Sequence, residues 1–414
     1  VIVTLETAEL AAAERVHRAI HGDAEDWDGL LRHNPVWSAA GVHRAVRRDG
    51  ELLSLASLAT TEQRFGGTTL KVGEIGLVGT LPEHRGRGHS RALMESWLTT
   101  MRAGGYAFAY LFGIRDFYER WGFHYAAPDH IYPYLTIERR MLDEMGEGGG
   151  GVRVRALAIE RDLAAVRALA EDDHAGLACS PVRSGATWRY LIGFADRHGV
   201  DWLGVEDVDG ALIGYARVKR WAKGMSAHPP GAVTDVAVAG ERACRALAAH
   251  LAGHPRNGPG AVETLSLCVA PHGRFGAWLF RHGARRGCDN RIYPGSWAAM
   301  YRVVDLPAVL EAWRSAWEAR LAAAAPLPAA ALTLRAHRED DGVAKIELDR
   351  SRVRVHPGAG GTEVGAPPDV VVPWLTGWRG APEWLEAERP TLPAEVRRYL
   401  TLLFPVRHPW IGDS

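Results

Sequence analysis

The sequence has few cysteines, no long apolar run and no net charge, and each shortage excludes a class of protein. The four cysteines form no Cys-x-x-Cys pair, and all lie beyond residue 178. Neither a zinc ribbon nor a disulfide scaffold is indicated, so we expect a reducing, cytoplasmic location. Lys plus Arg and Asp plus Glu each number 49, so the basic excess of a general nucleic-acid-binding protein is missing.

We expect neither a membrane span nor a metal. The most apolar stretch, residues 321–332, contains two prolines, whereas a helix that crosses a bilayer needs about 20 apolar residues. No secretory signal pattern follows Val1. His17 and His21 have the spacing of metal ligands, but 18 histidines make such pairs by chance and no His-Glu-x-x-His pattern accompanies them.

The composition is that of a folded globular protein, and its organisation is repetitive. Hydrophobic residues are 47% and charged residues 24% of the chain, and 414 residues predict roughly three domains. The segment VTLETAELAAAERVHRAIHGDAEDW near the start resembles VRALAIERDLAAVRALAEDDHAG from Val154. In each copy an Asp-Gly pair, Asp49-Gly50 or Asp209-Gly210, lies between two apolar runs and predicts a β-hairpin. Two copies of one mixed α+β fold are expected.

A third domain begins near residue 303, where the pattern changes. A helix is predicted from Leu306 to Ala325, alternating strands in KIELDRSRVRVHP, and helices near residues 372–378 and 393–404. The glycine-rich run at 146–151 marks the other boundary. We predict domains at residues 1–146, 152–302 and 303–414.

One segment of the first copy predicts an anion site. A strand ends at Thr80, Pro82 stops it, and Arg-Gly-Arg-Gly-His-Ser at residues 85–90 opens a helix that continues to Met101. Glycines allow close approach of the backbone, and helix N-terminal amides attract negative charge, so a pyrophosphate would be bound well here. A dinucleotide-binding turn fits less well because only Gly-x-Gly is present, and a P-loop is excluded because this segment has no Gly-Lys-Ser/Thr. The structural alternative is a turn that only caps a surface helix.

These residues resemble the acetyl-CoA site of the GNAT superfamily of N-acetyltransferases, whose loop reads Arg/Gln-x-x-Gly-x-Gly/Ala. Arg85 and Gly88 match, and Ser90 stands where Gly or Ala is usual. The segment YLFGIRDFYERWGFHY also resembles a GNAT segment, with Tyr118 at the tyrosine position. The resemblance implies that Tyr118 is the general acid that returns a proton to the CoA thiolate. The alternative is a tyrosine that only packs beside Phe117 and Trp121.

The whole chain resembles the enhanced-intracellular-survival (Eis) family of acetyltransferases. The resemblance rests on two GNAT-like copies, a third domain similar to sterol carrier protein, the loop PEHRGRGHSRALM and a terminal Pro-Trp tail. It implies transfer of acetyl from acetyl-CoA to small-molecule amines such as aminoglycosides, and a homo-oligomer such as a hexamer. The second copy has only Gly240 in DVAVAGERACRAL where the loop belongs, so we expect it to have a structural or substrate-shaping role.

The resemblance also implies a set of cofactor-binding residues. The backbone of Val78, Gly79 and Thr80 would hold the pantetheine arm. Gly113 and Ile114 would line the thioester end. The loop and first helical turn would hold the pyrophosphate through Arg85, Gly86, Arg87, Gly88, His89, Ser90 and Arg91.

A base must deprotonate the attacking amine, and in the Eis family the carboxylate of the final residue is implied to do so. In this sequence that residue is Ser414, with Asp413 as a substitute and a frayed tail without any role as the alternative. Near the first helix, Asp23, Glu25 and Asp26 surround Trp27. They would offer charge and a stacking face to a polycationic amine, or they form a solvated acidic loop.

Two other functions remain open at this stage. Trp374, Trp378 and Trp384 could line a lipid tunnel in the third domain, which would make the chain a lipid- or small-molecule-binding protein, although such residues are more often core. A protein lysine is the other acceptor that a GNAT site would suit, because fold alone does not choose among amines.

Overall fold

The structure is a computed structural model that describes three β-sheets with helices packed on them. It describes the chain apart from residues 24–25, 40, 115, 128–134, 139, 143–150, 221–230, 254–263, 269–272, 287–297, 337–341, 408 and 411–414. The mixed α+β prediction is confirmed. Within the described residues, no helix combines the length and the apolar character that crossing a bilayer requires.

The first sheet is formed mainly by the N-terminal segment. Its strands up to residue 125 are β1 (Ile2–Thr4), β2 (His43–Arg48), β3 (Glu51–Phe65), β4 (Thr68–Thr80), β5 (Phe108–Gly113) and β6 (His124–Tyr125). Helix α1 (Leu10–His21) packs on β3 and β4, and α2 (His89–Ala103) packs on β2, β3 and β4. The predicted hairpin joins β2 to β3, with Asp49 and Gly50 both at positive φ, as a tight two-residue turn requires.

The second sheet belongs mainly to the second copy. Its strands include β7 (Leu135–Glu138), β8 (Arg153–Ala156), β10 (Val200–Glu206), β11 (Leu212–Lys219), β12 (Val233–Val238), β13 (Thr264–Leu267) and β14 (Arg285–Arg286). The helices are α3 (Ile159–His174), α4 (Gly185–Gly193), α5 (Ala195–His198), α6 (Glu241–Gly253) and α7 (Arg274–Arg281). Helix α6 begins almost directly after β12, so this copy lacks the eight-residue connection, residues 81–88, that separates β4 from α2.

The first two sheets exchange strands. Strand β15 (Ala298–Val303) pairs with β5 over its whole length and lies between β5 and β6 in the first sheet. Strand β7, which precedes the glycine-rich run, pairs with β13 in the second sheet. Strand β9 (Cys179–Val182) pairs with the end of β3. The boundaries at 146–152 and 302–303 therefore divide the sequence but do not divide the sheets.

The third unit has its own four-stranded sheet and packs on the first. The sheet contains β16 (Ala330–Arg335), β17 (Val343–Asp349), β18 (Arg352–Pro357) and β19 (Thr362–Glu363). Its helices are α8 (Leu306–Ala323), α9 (Pro368–Thr376), α10 (Ala381–Ala387) and α11 (Ala394–Leu403). Trp374, Trp378 and Trp384 are buried, and Trp374 contacts both Trp384 and Phe404. These tryptophans are core in this structure.

Each face of the first sheet is covered by a different layer. Leu93, Met94 and Trp97 of α2 pack on one face. On the other face Phe108 and Tyr301 join the core that contains Trp313 of α8. The cofactor segment therefore lies in a sheet that is held on both sides.

Candidate active site

Strand β4 carries a bulge at the point where the sequence places the cofactor backbone. Leu55 pairs with Gly79 and Ser57 with Gly76, so Leu77 and Val78 together stand opposite one residue of β3. Leu77 has a φ of 54°, which is uncommon for a non-glycine residue. A bulge of this kind re-aims backbone groups and is frequent beside active sites.

Strands β4 and β5 separate just before the bulge, after Glu74. Their parallel pairing covers only Val72 to Glu74 opposite Phe108 to Tyr110. Within the described residues, the edge of β4 from Ile75 to Thr80 has no strand partner on the β5 side. A free strand edge accepts an extended chain that carries amide groups, because backbone donors and acceptors are available there. The pantetheine arm of CoA has this character, and its binding to Val78, Gly79 and Thr80 stays a prediction.

The loop after β4 is open and positively charged. Gly86 and Gly88 have φ values of 75° and 78°, and among the described residues other than their chain neighbours no atom lies within 4 Å of where their β-carbons would be. Arg85, Arg87 and Arg91 are exposed. Burial, together with the nearby charges of His84 and Arg87, lowers the pKa of His89. The loop therefore offers a site for an anion with room for its phosphate groups.

Helix α2 begins at this loop without a side-chain cap. Gly88 is its N-cap residue and contributes no side-chain hydrogen bond to the first turn. The first amides of a helix have no partner inside the helix, and together with the helix dipole they attract anions. The loop and the helix start thus have the arrangement that the sequence predicted.

Ser90, which stands where Gly or Ala is usual, forms a hydrogen bond through its hydroxyl. Its hydroxyl lies 2.8 Å from that of Thr80, and the Thr80 hydroxyl lies 2.8 Å from that of Ser54. The Arg85 Nε donates to the Thr80 carbonyl oxygen at 3.2 Å. The end of β4, the loop and the start of α2 are therefore joined by side-chain hydrogen bonds.

Tyr118 follows the end of β5 and packs among aromatic residues. Its ring contacts Phe117, Trp121 and Phe123, with centroid distances of 4.9, 6.0 and 6.4 Å. Burial raises the pKa of its phenol to about 12. The hydroxyl has no hydrogen-bond partner among the described residues. A phenol that stays protonated and has no partner can act as a proton donor, and Gly113 lies directly against its ring.

The interdomain cleft, a cavity of about 640 Å³, lies between the first and second copies. Thr60, Thr61 and Tyr110 line it from the first sheet, and Arg167 and Glu171 of α3 line it from the second copy. The Tyr110 hydroxyl donates to Glu74 at 2.8 Å, at the last pair before β4 and β5 separate. The cleft therefore extends to the place where the free edge of β4 begins, and its volume suits a small molecule.

The acidic segment near α1 differs from its expected role. Trp27 is fully buried, its ring stacks on His17 at 5.1 Å, and its Nε1 donates to the Gly22 carbonyl oxygen. It has no free face for a cation, so its expected stacking role is corrected. Asp23 pairs with Arg18 at 2.5 Å, and Asp26 with Arg197 at 3.3 Å. Glu25 lies outside the described residues.

The C-terminal tail reaches the second copy. The Trp410 amide donates to the Cys179 carbonyl oxygen at 3.0 Å, and its ring contacts His174 at 4.6 Å. The guanidinium of Arg183, which lines the interdomain cleft, lies 5.3 Å from the Trp410 ring. Asp413 and Ser414 lie outside the described residues, and Ile114 is exposed at the end of β5.

Sequence reasoning missed two features of the site. The bulge at Leu77 has no signal in the sequence, because its positive φ falls on a residue that seldom adopts it. His17 and His21, considered only as metal ligands, face the first sheet, and the His21 Nε2 would lie 3.2 Å from a β-carbon at Gly79. No cluster of three or more His, Cys, Asp or Glu side chains suited to a metal ion occurs within the described part of the chain.

Comparison with known proteins agrees with this geometry. Residues 11–126 match the model of the acetyltransferase (GNAT) domain family. That range contains β4, the loop, α2 and Tyr118. A search of curated proteins gave no match.

Several solved structures share the fold over the whole chain. A GCN5-related N-acetyltransferase from Kribbella flavida is 18% identical, with a TM-score of 0.70, and the match covers 100% of this chain and 99% of that one. A GCN5-related N-acetyltransferase from Anabaena variabilis is 15% identical, with a TM-score of 0.70 and coverage of 99% and 98%. Eis1 from Mycobacterium abscessus is 20% identical, with a TM-score of 0.66 and coverage of 100% and 99%.

The matched family and the matched folds lead to one assignment. The bulged strand, the glycine loop and the tyrosine all lie in the segment that the family model covers. Residues 11–126 therefore form a GNAT acetyltransferase domain, which supports an N-acetyltransferase, and the whole chain resembles Eis1 in fold.

Proposed function

We propose that this protein transfers an acetyl group from acetyl-CoA to a primary amine of a small molecule bound in the interdomain cleft. The observation that carries the proposal is the free, bulged edge of β4, which leads into the uncapped start of α2. Acetyl-CoA supplies the activated acyl group, and Val78, Gly79, Thr80 and the loop from Arg85 to Arg91 would hold it. The amine attacks the thioester directly, without a covalent enzyme intermediate.

Two proton transfers accompany the reaction, one to the CoA sulfur and one from the amine. Tyr118 donates a proton to the departing CoA sulfur, which its raised pKa and unpartnered hydroxyl support. Backbone amides near Val78 polarise the thioester carbonyl. A general base beside the amine accepts its proton.

The Eis resemblance also bears on the identity of the amine. An aminoglycoside or another polyamine is the acceptor that the Eis resemblance implies, and a protein lysine is a second candidate. Asp23 and Asp26, which motivated a polycation, are paired with arginines in this structure. A cytoplasmic homo-oligomer remains a prediction of the resemblance.

Release of CoA tests the proposal. Acetyl-CoA is incubated with the protein and one of a panel of amino acids, linear diamines, aminoglycosides and lysine peptides, and free thiol is measured against a control without amine. Amine-dependent release supports acetyl transfer. Calorimetry measures acetyl-CoA binding in parallel, and absence of both binding and release would contradict the proposal.

A further inference from the structure

The charged side chains of the acidic segment and of the cleft fall into two groups, those that form ion pairs within the protein and those that do not. In the acidic segment, Asp28 pairs with Arg32 at 2.9 Å and lies 3.4 Å from Arg197, and Asp23 and Asp26 are paired as described. On the cleft wall, Arg183 pairs with buried Asp235 at 2.5 Å. These groups are neutralised within the protein and offer little net charge to a ligand.

Four charged side chains that line the cleft have no oppositely charged partner among the described residues. They are Arg44, Glu62, Arg167 and Glu171. Arg44 donates only to neutral acceptors, the Ser96 carbonyl and hydroxyl oxygens and the Thr100 hydroxyl, and burial lowers its pKa. Glu62, Arg167 and Glu171 are exposed, and the Arg44 guanidinium lies 3.8 Å from the centroid of the Trp97 ring. Two positive and two negative charges therefore line the cavity without an ion-pair partner among the described residues.

Arg167 and Glu171 are the clearest example of opposite charges that do not pair with each other. They lie one turn apart on α3, a spacing at which side chains are neighbours and opposite charges commonly pair. No ion pair joins them, and both line the cleft. The buried Thr61 hydroxyl, on the opposite wall, also lacks a hydrogen-bond partner. Buried polar groups in proteins nearly always have a protein or water partner, so the Thr61 hydroxyl is available to water or to a polar ligand in the cleft.

We propose that the cleft binds an amino carboxylate, a small molecule with one carboxylate besides its reactive amine, and that Arg167 recognises the carboxylate. This proposal rests on the proposed function. A lining with balanced, uncompensated charges complements a ligand that carries both signs and gives no advantage to a polycation. A guanidinium binds a planar carboxylate through two parallel hydrogen bonds, and Glu171 and Glu62 would accept hydrogen bonds from the ammonium group.

Matched pairs of amines test the proposal on the full-length protein. Lysine and cadaverine differ only in the carboxylate, as do ornithine and putrescine. We expect kcat/KM to be at least about tenfold higher for each amino acid than for its decarboxylated partner, the effect of one charge-assisted hydrogen bond. Kanamycin serves as the polycationic comparison.

Variants show whether Arg167 is responsible. Arg167→Ala should abolish the preference by lowering kcat/KM for lysine while leaving that for cadaverine nearly unchanged. Arg189→Ala is the matched control, since Arg189 is an exposed arginine close to Arg167 that does not line the cleft. Equal kcat/KM for lysine and cadaverine in the wild type, or an equal loss for both amines in Arg167→Ala, would overturn the proposal while leaving acetyl transfer established. No CoA release with any amine would instead contradict the proposed function.

Discussion

The ring of Tyr118 lies against the backbone of Gly113, so close that a β-carbon at residue 113 would stand 2.9 Å from the Tyr118 Cδ2. The same β-carbon would meet the Met300 Sδ at 2.5 Å and the Leu111 Cδ1 at 2.6 Å. The last residue of β5 is thus glycine because three side chains occupy the space beside it.

Gly113→Ala should therefore displace Tyr118 and lower kcat. We expect a loss of about tenfold, because a small shift of a catalytic group is costly to the reaction. Acetyl-CoA affinity, measured by calorimetry, should change little. Gly193→Ala is the control, since no atom lies within 4 Å of the added carbon there. An unchanged kcat in Gly113→Ala would mean that the position of Tyr118 is not critical.

Tyr118→Phe should remove the proton donor and keep the packing. We expect kcat to fall about 100-fold, the usual lower range for loss of a general acid, with acetyl-CoA affinity nearly unchanged. Because burial raises the phenol pKa to about 12, the hydroxyl remains protonated across the neutral range, and the wild-type rate should show no loss from Tyr118 ionisation below about pH 10. Full activity in the variant would show that Tyr118 only packs.

Gly88→Ala should weaken acetyl-CoA binding with little effect on kcat. The residue has a φ of 78°, and its added carbon would point into the open space above the loop. Gly105→Ala is a matched control, because Gly105 also has a positive φ of 67° and open space but lies beyond the other end of α2. Both variants should bear a similar strain of about 1 kcal/mol. Only Gly88→Ala should raise the acetyl-CoA KM, and an equal KM in both variants would contradict the role of the loop.

His17 should make the protein sensitive to acid. The ring is fully buried, neither nitrogen has a partner among the described residues, and burial lowers its pKa to about 3. His17 takes up a proton near pH 6.5 in the unfolded chain and only near pH 3 in the folded chain. Below pH 6.5 the unfolded state therefore binds more protons than the folded state. The contribution of the neutral, buried His17 to the free energy of unfolding is complete above pH 6.5 and is lost as the pH falls toward 3. The loss is on the order of a few kcal/mol.

Replacement of His17 checks this dependence. His17→Leu should flatten the fall in the free energy of unfolding, measured by urea denaturation between pH 7 and about pH 4. A wild-type stability that does not change with pH in this range would contradict the burial of a neutral His17.

The sequence predicted those parts of the molecule that depend on local patterns. The turn at Asp49-Gly50, the helix after Gly88 and the strands around Lys345 and Val353 all follow from short-range signals, and the structure confirms them. The glycine loop and Tyr118 were recognisable because their motifs are continuous in the chain.

Features that depend on distant pairing were not predictable. Nothing in residues 298–303 indicates that they pair with β5 and not with the second sheet, because an alternating strand pattern fits either partner. The acidic segment looked free because Arg197, which meets Asp26, is far away in the sequence. Trp27 looked like a ligand platform because its burial against His17 depends on how the loop folds back on α1.

The exchange of β15 has a consequence for how the protein is made. On the ribosome, the chain emerges from its N-terminus, so β5 is available long before residues 298–303 can pair with it. Until then the strand that leads to Tyr118 has an open edge, the kind of surface on which chains aggregate. The catalytic half of the molecule thus completes its sheet only after most of the second copy has been synthesised, and protection of the nascent chain during that interval becomes part of producing an active enzyme.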